Sequence, residues 1–346
     1  MIIYNEKPIV KSSYDLMLGN IVTILEKGRK TAYTSVNNIM LKTYWEIGRE
    51  IVEFEQKGKE KAEYGSQLLD RISQDLKSKY GKGFSRSNVI YMRLFYLKYP
   101  KSETLSHQLN WSHYFELMKI DDDLERSFYE KQSILENWSV RELKRQKNTA
   151  LFQRIALNKD KEEILELSKE GNVIKDEKSV LKDPYVFEFL NIPEHQVFSE
   201  THLEKKLIDN LQEFLLELGK GFAYIGRQYR ISLANTHFYV DLVFYHRILK
   251  CFVLIDLKVG EVNHTDIGQM NMYLNYFKRE ENVENDSEPV GIILSKYKDD
   301  VLVEYATGSI SNKLFVSKYQ TYLPEKKVLQ DRLKEILEEN SDYHLE

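Results

Sequence analysis

Apolar residues recur at helical intervals through the first half of the chain and crowd into strand-length runs in the second. Leu16, Leu18, Ile21, Ile24 and Leu25, followed by Val36, Ile39, Met40, Tyr44, Ile47 and Ile51, predict one long helix over 13–57, with a kink or break expected near Gly28. Leu68, Leu69, Ile72 and Leu76 mark one face of a second helix from about Tyr64 to Lys79. Gly81 and Gly83 then make a turn, and Ser85 or Ser87 can cap a third helix that runs to about Lys98 before Pro100. Helix, short glycine turn and helix is the outline of a helix-turn-helix. Short helices follow, one opened by the capping-box pattern Ser139 to Glu142. Trp111, Tyr114, Phe115, Phe128, Tyr129 and Trp138 read as core aromatics.

Residues 158–182 are polar and highly charged, and read as a linker carrying a short helix from Lys161 to Lys169. A helix from Ser199 to Leu218 comes next, then strands over 223–231, 238–246 and 249–258, the last two antiparallel across a short turn. A helix over 265–279, strands at 290–294 and 314–317, and a final helix over 325–340 complete the pattern. The fold class expected is therefore two-domain: an all-α helix-turn-helix domain over 1–157, the linker 158–182, and over 183–346 a mixed β-sheet flanked by helices.

A length of 346 residues suits two domains, and 42% hydrophobic with 30% charged residues suits a globular protein. No apolar run approaches the roughly 18 residues needed to span a bilayer, and the N-terminus lacks the apolar core of a signal peptide. The expectation is a cytoplasmic protein without a membrane partner. The single Cys251 excludes an intramolecular disulfide and a cysteine-built zinc site, and its apolar setting reads as a buried, inert thiol. The net charge of −4 hides a division: residues 1–158 carry 26 basic against 20 acidic residues, a balance of +6, and the remainder stands at −10. From Leu76 to Ser102 there are seven basic residues and no acid. Lys82, Ser85, Arg86, Ser87, Arg93 and Lys98 are the candidate DNA contacts there, with Arg141, Lys144 and Arg145 as a second basic cluster. A solvated basic face is the competing reading.

The densest chemistry lies between Phe238 and Tyr273. Two apolar strands carry one acid each, Asp241 and Asp256. Strand alternation puts Tyr239, Asp241, Val243 and Tyr245 on one face of the first strand and Phe252, Leu254, Asp256 and Lys258 on one face of the second, with Asp256 and Lys258 about 7 Å apart. A lone carboxylate in such a strand is heavily penalised, whereas two that share a divalent cation are compensated. Lys258 can orient or deprotonate a water, or stabilise developing phosphoryl charge. Glu204, in the preceding helix, is a third candidate ligand for Mg²⁺ or Mn²⁺, with Glu200 one turn earlier. Gln269 and Tyr273, four apart on one helix face, can orient Lys258, a metal-bound water or a phosphate. Taken singly, Asp256 with Lys258 is equally a surface salt bridge; the ordered set is the stronger signal.

That order resembles the PD-(D/E)xK nuclease superfamily in its QxxxY-containing branch. The stretches TYWEIGREIVEFEQKGKEKAEYG, GFSRSNVIYMRLFY, LNWSHYFEL, NWSVRELKRQ, DPYVFEFL and ELGKGFAYIGRQYRI are similar to the YhcG-like family of bacterial nuclease-domain proteins, from about Tyr33 to Leu323. The resemblance implies a winged-helix-like N-terminal domain and a restriction-endonuclease-like C-terminal domain. By position it gives Asp241 the first acidic place, Asp256 and Lys258 the D-x-K, and Gln269 and Tyr273 the QxxxY, with Glu204 as the helix acid. Val240 stands where the family pattern has proline, which is not a ligand. Asp256 stands where glutamate is commoner, which shortens the reach to a metal. The function expected is a metal-dependent DNA nuclease acting on duplex or branched DNA. Its rivals are a catalytically silent DNA- or protein-binding module that keeps the fold, and an assembly module that forms a homodimer through the N-terminal helices.

Overall fold

The computed structural model describes residues 13–57, 65–102, 105–157, 159–193, 196–233, 235–308 and 310–339. The expected start of the second helix at Tyr64, the end of the last helix at Asn340 and the N-terminal residues 1–12 lie outside the described residues. The chain divides into two compact units, Met1–Asp122 and Asp123–Glu346.

The first unit is helical. Helix α1 (Ser13–Lys57) runs through Gly28 without the expected break. Its second half carries the packing: Leu41, Trp45, Ile51 and Val52 are buried. Its first half leaves Leu16, Ile21, Ile24 and Leu25 exposed. Helix α2 (Gly65–Tyr80) leads through a 3-10 turn at Lys82–Phe84 into α3 (Arg86–Lys98). Ser85 is the cap, accepting the Asn88 N–H at 3.3 Å. Val89, Met92 and Phe95 turn α3 towards α1. Gly48 makes this approach feasible, because a Cβ there would meet the Met92 carbonyl oxygen at 2.0 Å. Helix α4 (Trp111–Leu117) brings Trp111 and Tyr114 onto Phe95, and the Trp45 indole donates to the Tyr99 carbonyl at 2.6 Å. Among the described residues of this unit there is no strand, so the wing of a winged helix is not among them.

The second unit begins earlier than the sequence suggests. Helices α5 (Asp123–Leu135), α6 (Val140–Asn148), α7 (Leu151–Ala156) and α8 (Lys161–Glu170) belong to it. Helix α8 occupies the expected linker but buries Ile164 and Leu167 and packs against α5. The reason for the early start is an ion-pair cluster that periodicity does not reveal. Arg154 donates to Glu217 at 2.7 Å, and Arg145 donates to Glu217 at 3.1 Å and to Glu188 at 2.8 Å. Glu217 also accepts the Val186 N–H at 3.0 Å. Burial alone would raise its carboxyl, but Arg154, Lys182 and Arg145 outweigh burial and hold it down at about 2.

After the short strand β1 (Tyr185–Val186), the expected helix over 199–218 forms as two, α9 (Glu200–Asp209) and α10 (Leu211–Leu218), broken at Asn210. The rest comprises β2 (Phe222–Leu233), β3 (Thr236–His246), β4 (Cys251–Glu261), α11 (His264–Tyr276), β5 (Val290–Tyr297), α12 (Asp300–Thr307), β6 (Lys313–Gln320) and α13 (Lys326–Glu339). The sheet order is β1-β6-β5-β4-β3-β2; β1, β6, β5 and β4 are parallel, and β3 and β2 antiparallel. One face packs Leu242, Phe244, Val253 and Ile255 against Leu203 and Leu207 of α9 and Phe214 of α10. The other packs Val240, Val243, Leu254 and Ile293 against Ile267, Met270 and Leu274 of α11. This is a mixed sheet between helices, as the apolar runs predict. Cys251 is buried, and burial pushes its thiol up to about 11.

Candidate active site

Strands β3 and β4 pair from His246↔Cys251 to Leu242↔Ile255 and no further. Asp241 and Asp256 are the next residues on each strand, so the two acids stand at the fork where the strands part. Beyond the fork β4 continues beside β5, and β3 continues beside β2. Alternation also fails at the fork. Val240 and Val243 pack in the same cluster while Leu242 and Phe244 pack on the other face, so Tyr239 and Asp241 do not share a face with Val243 and Tyr245 as expected. The cause lies across the ladder, where Gln228 of β2 adopts φ 48° between the paired residues Arg227 and Tyr229. A left-handed, non-glycine residue inside a strand redirects the backbone.

Asp241 is fully engaged. One carboxylate oxygen accepts the Leu257 N–H at 2.8 Å, and the other accepts the Gln228 amide at 3.0 Å. The same Gln228 nitrogen donates to Glu204 of α9 at 2.6 Å. Asp256 meets the Lys258 ammonium at 2.9 Å, and Asp266 of α11 approaches Lys258 at 3.4 Å. Glu200, at the start of α9, accepts the Val259 N–H at 3.4 Å. Asp256 and Asp266 thus border Lys258, with Glu200 bonded to the next backbone N–H, while Asp241 and Glu204 are joined through Gln228.

The protonation states follow from this crowding. Burial and the neighbouring Asp241 carboxylate push Asp256 up to about 7, against the pull of Lys258. Glu204 is raised by burial, partly offset by the Gln228 hydrogen bond. Burial lowers Lys258, but Asp256, Glu200 and Asp266 carry it above its ordinary value, which favours its ammonium form.

Gln269 and Tyr273 do not reach Lys258. The Gln269 amide donates to the Tyr273 hydroxyl, which donates to the Tyr239 carbonyl at 3.1 Å. The pair ties α11 to β3 two residues before Asp241.

The donor set suits a hard divalent cation. It offers carboxylate oxygens, one of them on a buried Asp256 whose ionisation is resisted by its surroundings, and a cation would remove that resistance. Among the described residues no three His, Cys, Asp or Glu side chains gather closely enough to enclose a metal ion by themselves. Magnesium does not require that, since it keeps water ligands and takes one or two carboxylates.

The expected DNA contacts divide. Lys82, Ser85 and Ser87 are exposed, as are Arg141 and Lys144. Arg86 is exposed but held by Asp70. Arg93 pairs with Glu55 at 2.7 Å, and Lys98 donates to the Ile120 carbonyl at 2.6 Å. Arg145 points into the Glu188 and Glu217 cluster, where its guanidinium is already paired. The basic window lacks acids of its own, but α1 and α2 supply them. Sequence reading missed Gln228 and Asp266. Gln228 had no local motif; Asp266 had one, the capping box closed with Asn263.

Residues 178–334 match the family described as the YhcG PDDEXK nuclease domain, and residues 20–154 match the DUF1016 N-terminal domain. YhcG of Escherichia coli (strain K12), whose nuclease name is itself provisional, is 37% identical over 93% of this chain and 94% of its own. Among solved structures, a repair endonuclease from Pyrococcus abyssi aligns at 17% identity over 38% of this chain and 50% of that one, with a TM-score of 0.27. An EndoMS–dsDNA complex aligns at 13% identity over 39% of this chain and 50% of that one, with a TM-score of 0.26.

Proposed function

Because the chain belongs to the YhcG-like family, whose C-terminal part is a PD-(D/E)xK nuclease domain, we propose that it hydrolyses phosphodiester bonds in DNA with Mg²⁺ or Mn²⁺ as cofactor. The observation that carries this reading is the fork: Asp241 and Asp256 leave one strand pair side by side, with Lys258 at 2.9 Å from Asp256. Asp241 and Asp256 would hold the cation, with Glu204 as the third carboxylate. The cation would supply Lewis acidity and an activated water. Lys258, kept protonated, stabilises charge developing on the phosphate. Gln269 and Tyr273 fix β3 and through it Asp241. In the first unit, Lys82, Ser85 and Ser87 around the start of α3 offer a helix N-terminus and a basic side chain to DNA, with Arg141 and Lys144 of the second unit as further contacts. The exposed apolar residues of α1 suit a homodimer.

The test is cleavage of plasmid, linear and branched DNA by the full chain with Mg²⁺ or Mn²⁺. Asp256→Ala and Asp241→Ala should each lower the rate by at least about 100-fold, the scale of losing a site's main electrostatic contributor. Cleavage that persists in Asp256→Ala, or no cleavage by the wild type, leaves a binding protein with a nuclease fold.

A further inference from the structure

The site just described is rich in negative charge, and its one lysine is already shared between Asp256 and Asp266. A phosphodiester must nevertheless approach it. Within the same unit, positive charge is offered by the strands that leave the fork. Beyond Leu242 the β3 strand has no β4 partner, yet β2 and β3 stay paired from Tyr229↔Val240 to Leu233↔Thr236. They form a two-stranded ribbon that parts from β4 at the fork. Its inner face is anchored, since Ile231 and Val240 are fully buried against α11. Its outer face is exposed and pairs Arg230 with Tyr239 and Ser232 with His237. Arg230 donates to His237 Nε2 at 2.8 Å, and the Ser232 hydroxyl lies 3.1 Å from His237 Nδ1, so the guanidinium is held on that face by polar neighbours and, among the described residues, by no carboxylate. Tyr239, beside it, is 48% exposed. From Leu218 to Val240 the sequence contains no acid at all, in a half of the chain where acids dominate.

We propose that this outer face is the bed on which a DNA strand lies as its phosphate enters the fork. The inference rests on the nuclease reading for its orientation. Arg230 meets the backbone phosphate, and the Tyr239 ring offers a stacking surface to a base. Arg227, one residue from Gln228, adds charge nearer the carboxylates. A two-stranded β-ribbon also has the cross-section to enter a major groove.

The experiment uses the full chain carrying Asp256→Asn, so that the probe is not cut, and a fluorescently labelled DNA duplex read by anisotropy over a salt series; the same strand unpaired forms a second arm. Arg230→Glu should weaken binding by at least about 10-fold and reduce the salt slope by about one. Lys334→Glu, the same charge change on the exposed face of α13, should do neither. Tyr239→Ala, at an exposed ring, should weaken the unpaired strand more than the duplex. Arg230→Glu and Lys334→Glu with equal affinity and slope overturn the proposal. The outcome is separable from that of the nuclease reading by kinetics in the Asp256 background. If the wild type cleaves and Arg230→Glu raises KM with little change in kcat, both stand. If the wild type cleaves and KM is unmoved, the ribbon falls alone. If the wild type cleaves nothing while Arg230→Glu still loses DNA selectively, the surface stands and the nuclease reading falls.

Discussion

Gln228 donates from one nitrogen to Glu204 and Asp241, two carboxylates on separate elements that would otherwise repel. It does so from a backbone conformation, φ 48°, that a side chain disfavours. On the proposed function it recruits Glu204 to the cation. Gln228→Gly removes the amide while easing the backbone, so the fold should be kept. Calorimetric titration with Mn²⁺ should show about 10-fold weaker binding, the usual cost of losing a group that orients a metal ligand. Glu204→Gln should cost a similar factor, and the double variant no more than either alone; additive losses would mean the two act separately. Asp256 gives a pH prediction. Its carboxyl is raised from 3.8 to about 7 in the fold, so the stability it contributes is fully present below about pH 4 and lost as pH rises through 7. Without divalent ions, Asp256→Asn should therefore raise Tm by about 5 °C at pH 8 and leave it nearly unchanged at pH 4. A gain of equal size at both pH values would place the penalty elsewhere.

At the scale of elements, the site is a place where regular pairing ends. The D-x-K acid and lysine were legible because two apolar strands, each interrupted by one charge, announce a carboxylate that something must compensate. Their juxtaposition with Asp241 followed from a short antiparallel turn. The face assignment of Asp241 was not legible, since alternation assumes an unbroken strand and the irregularity sits on β2, at a glutamine with no turn signature. The role of Gln269 and Tyr273 was half legible: their i, i+4 spacing gives a mutual contact, but which backbone the hydroxyl meets depends on how α11 packs. Tyr273→Phe tests that tie, because the ring stays buried while the bond to the Tyr239 carbonyl and the one from the Gln269 amide are both lost. It should cost about 1 kcal/mol of stability and lower kcat with little effect on KM, as measured on a DNA substrate. An effect on KM alone would put Tyr273 in contact with substrate. In the first unit, the helix pair α1 and α3 was readable as helices, but the acids that neutralise Arg86 and Arg93 come from α2 and α1, sixteen and thirty-eight residues away. A local charge count does not register partners at that separation.

For the whole molecule, the two halves differ in charge as the sequence indicates, yet the structural division falls between Asp122 and Asp123 and not in the charged stretch 158–182. The matched family regions end at 154 and resume at 178, close to the division that composition suggests. The structure departs from it because Arg145 and Arg154 are the cations of Glu217. Glu217 is wholly buried on α10, beneath the sheet that builds the site. A polar, charged stretch looks like a linker when its charges are assumed to face water; here α8 buries one side and stays packed on α5. The consequence is sharp for dissection. A fragment spanning 123–346 keeps both arginines and should fold cooperatively, with a Tm that rises on adding Mn²⁺. A fragment spanning 183–346 contains every proposed metal ligand but leaves Glu217 buried without Arg145, Arg154 or Lys182. An unpaired buried carboxylate costs about 3–5 kcal/mol, a large share of the stability of an ordinary domain. That fragment should therefore show no cooperative melt by circular dichroism and no response to Mn²⁺, and Glu217→Leu should restore part of its folding by removing the charge. Equal melting of the two fragments would return the boundary to the charged stretch and reduce the arginine cluster to a dispensable contact.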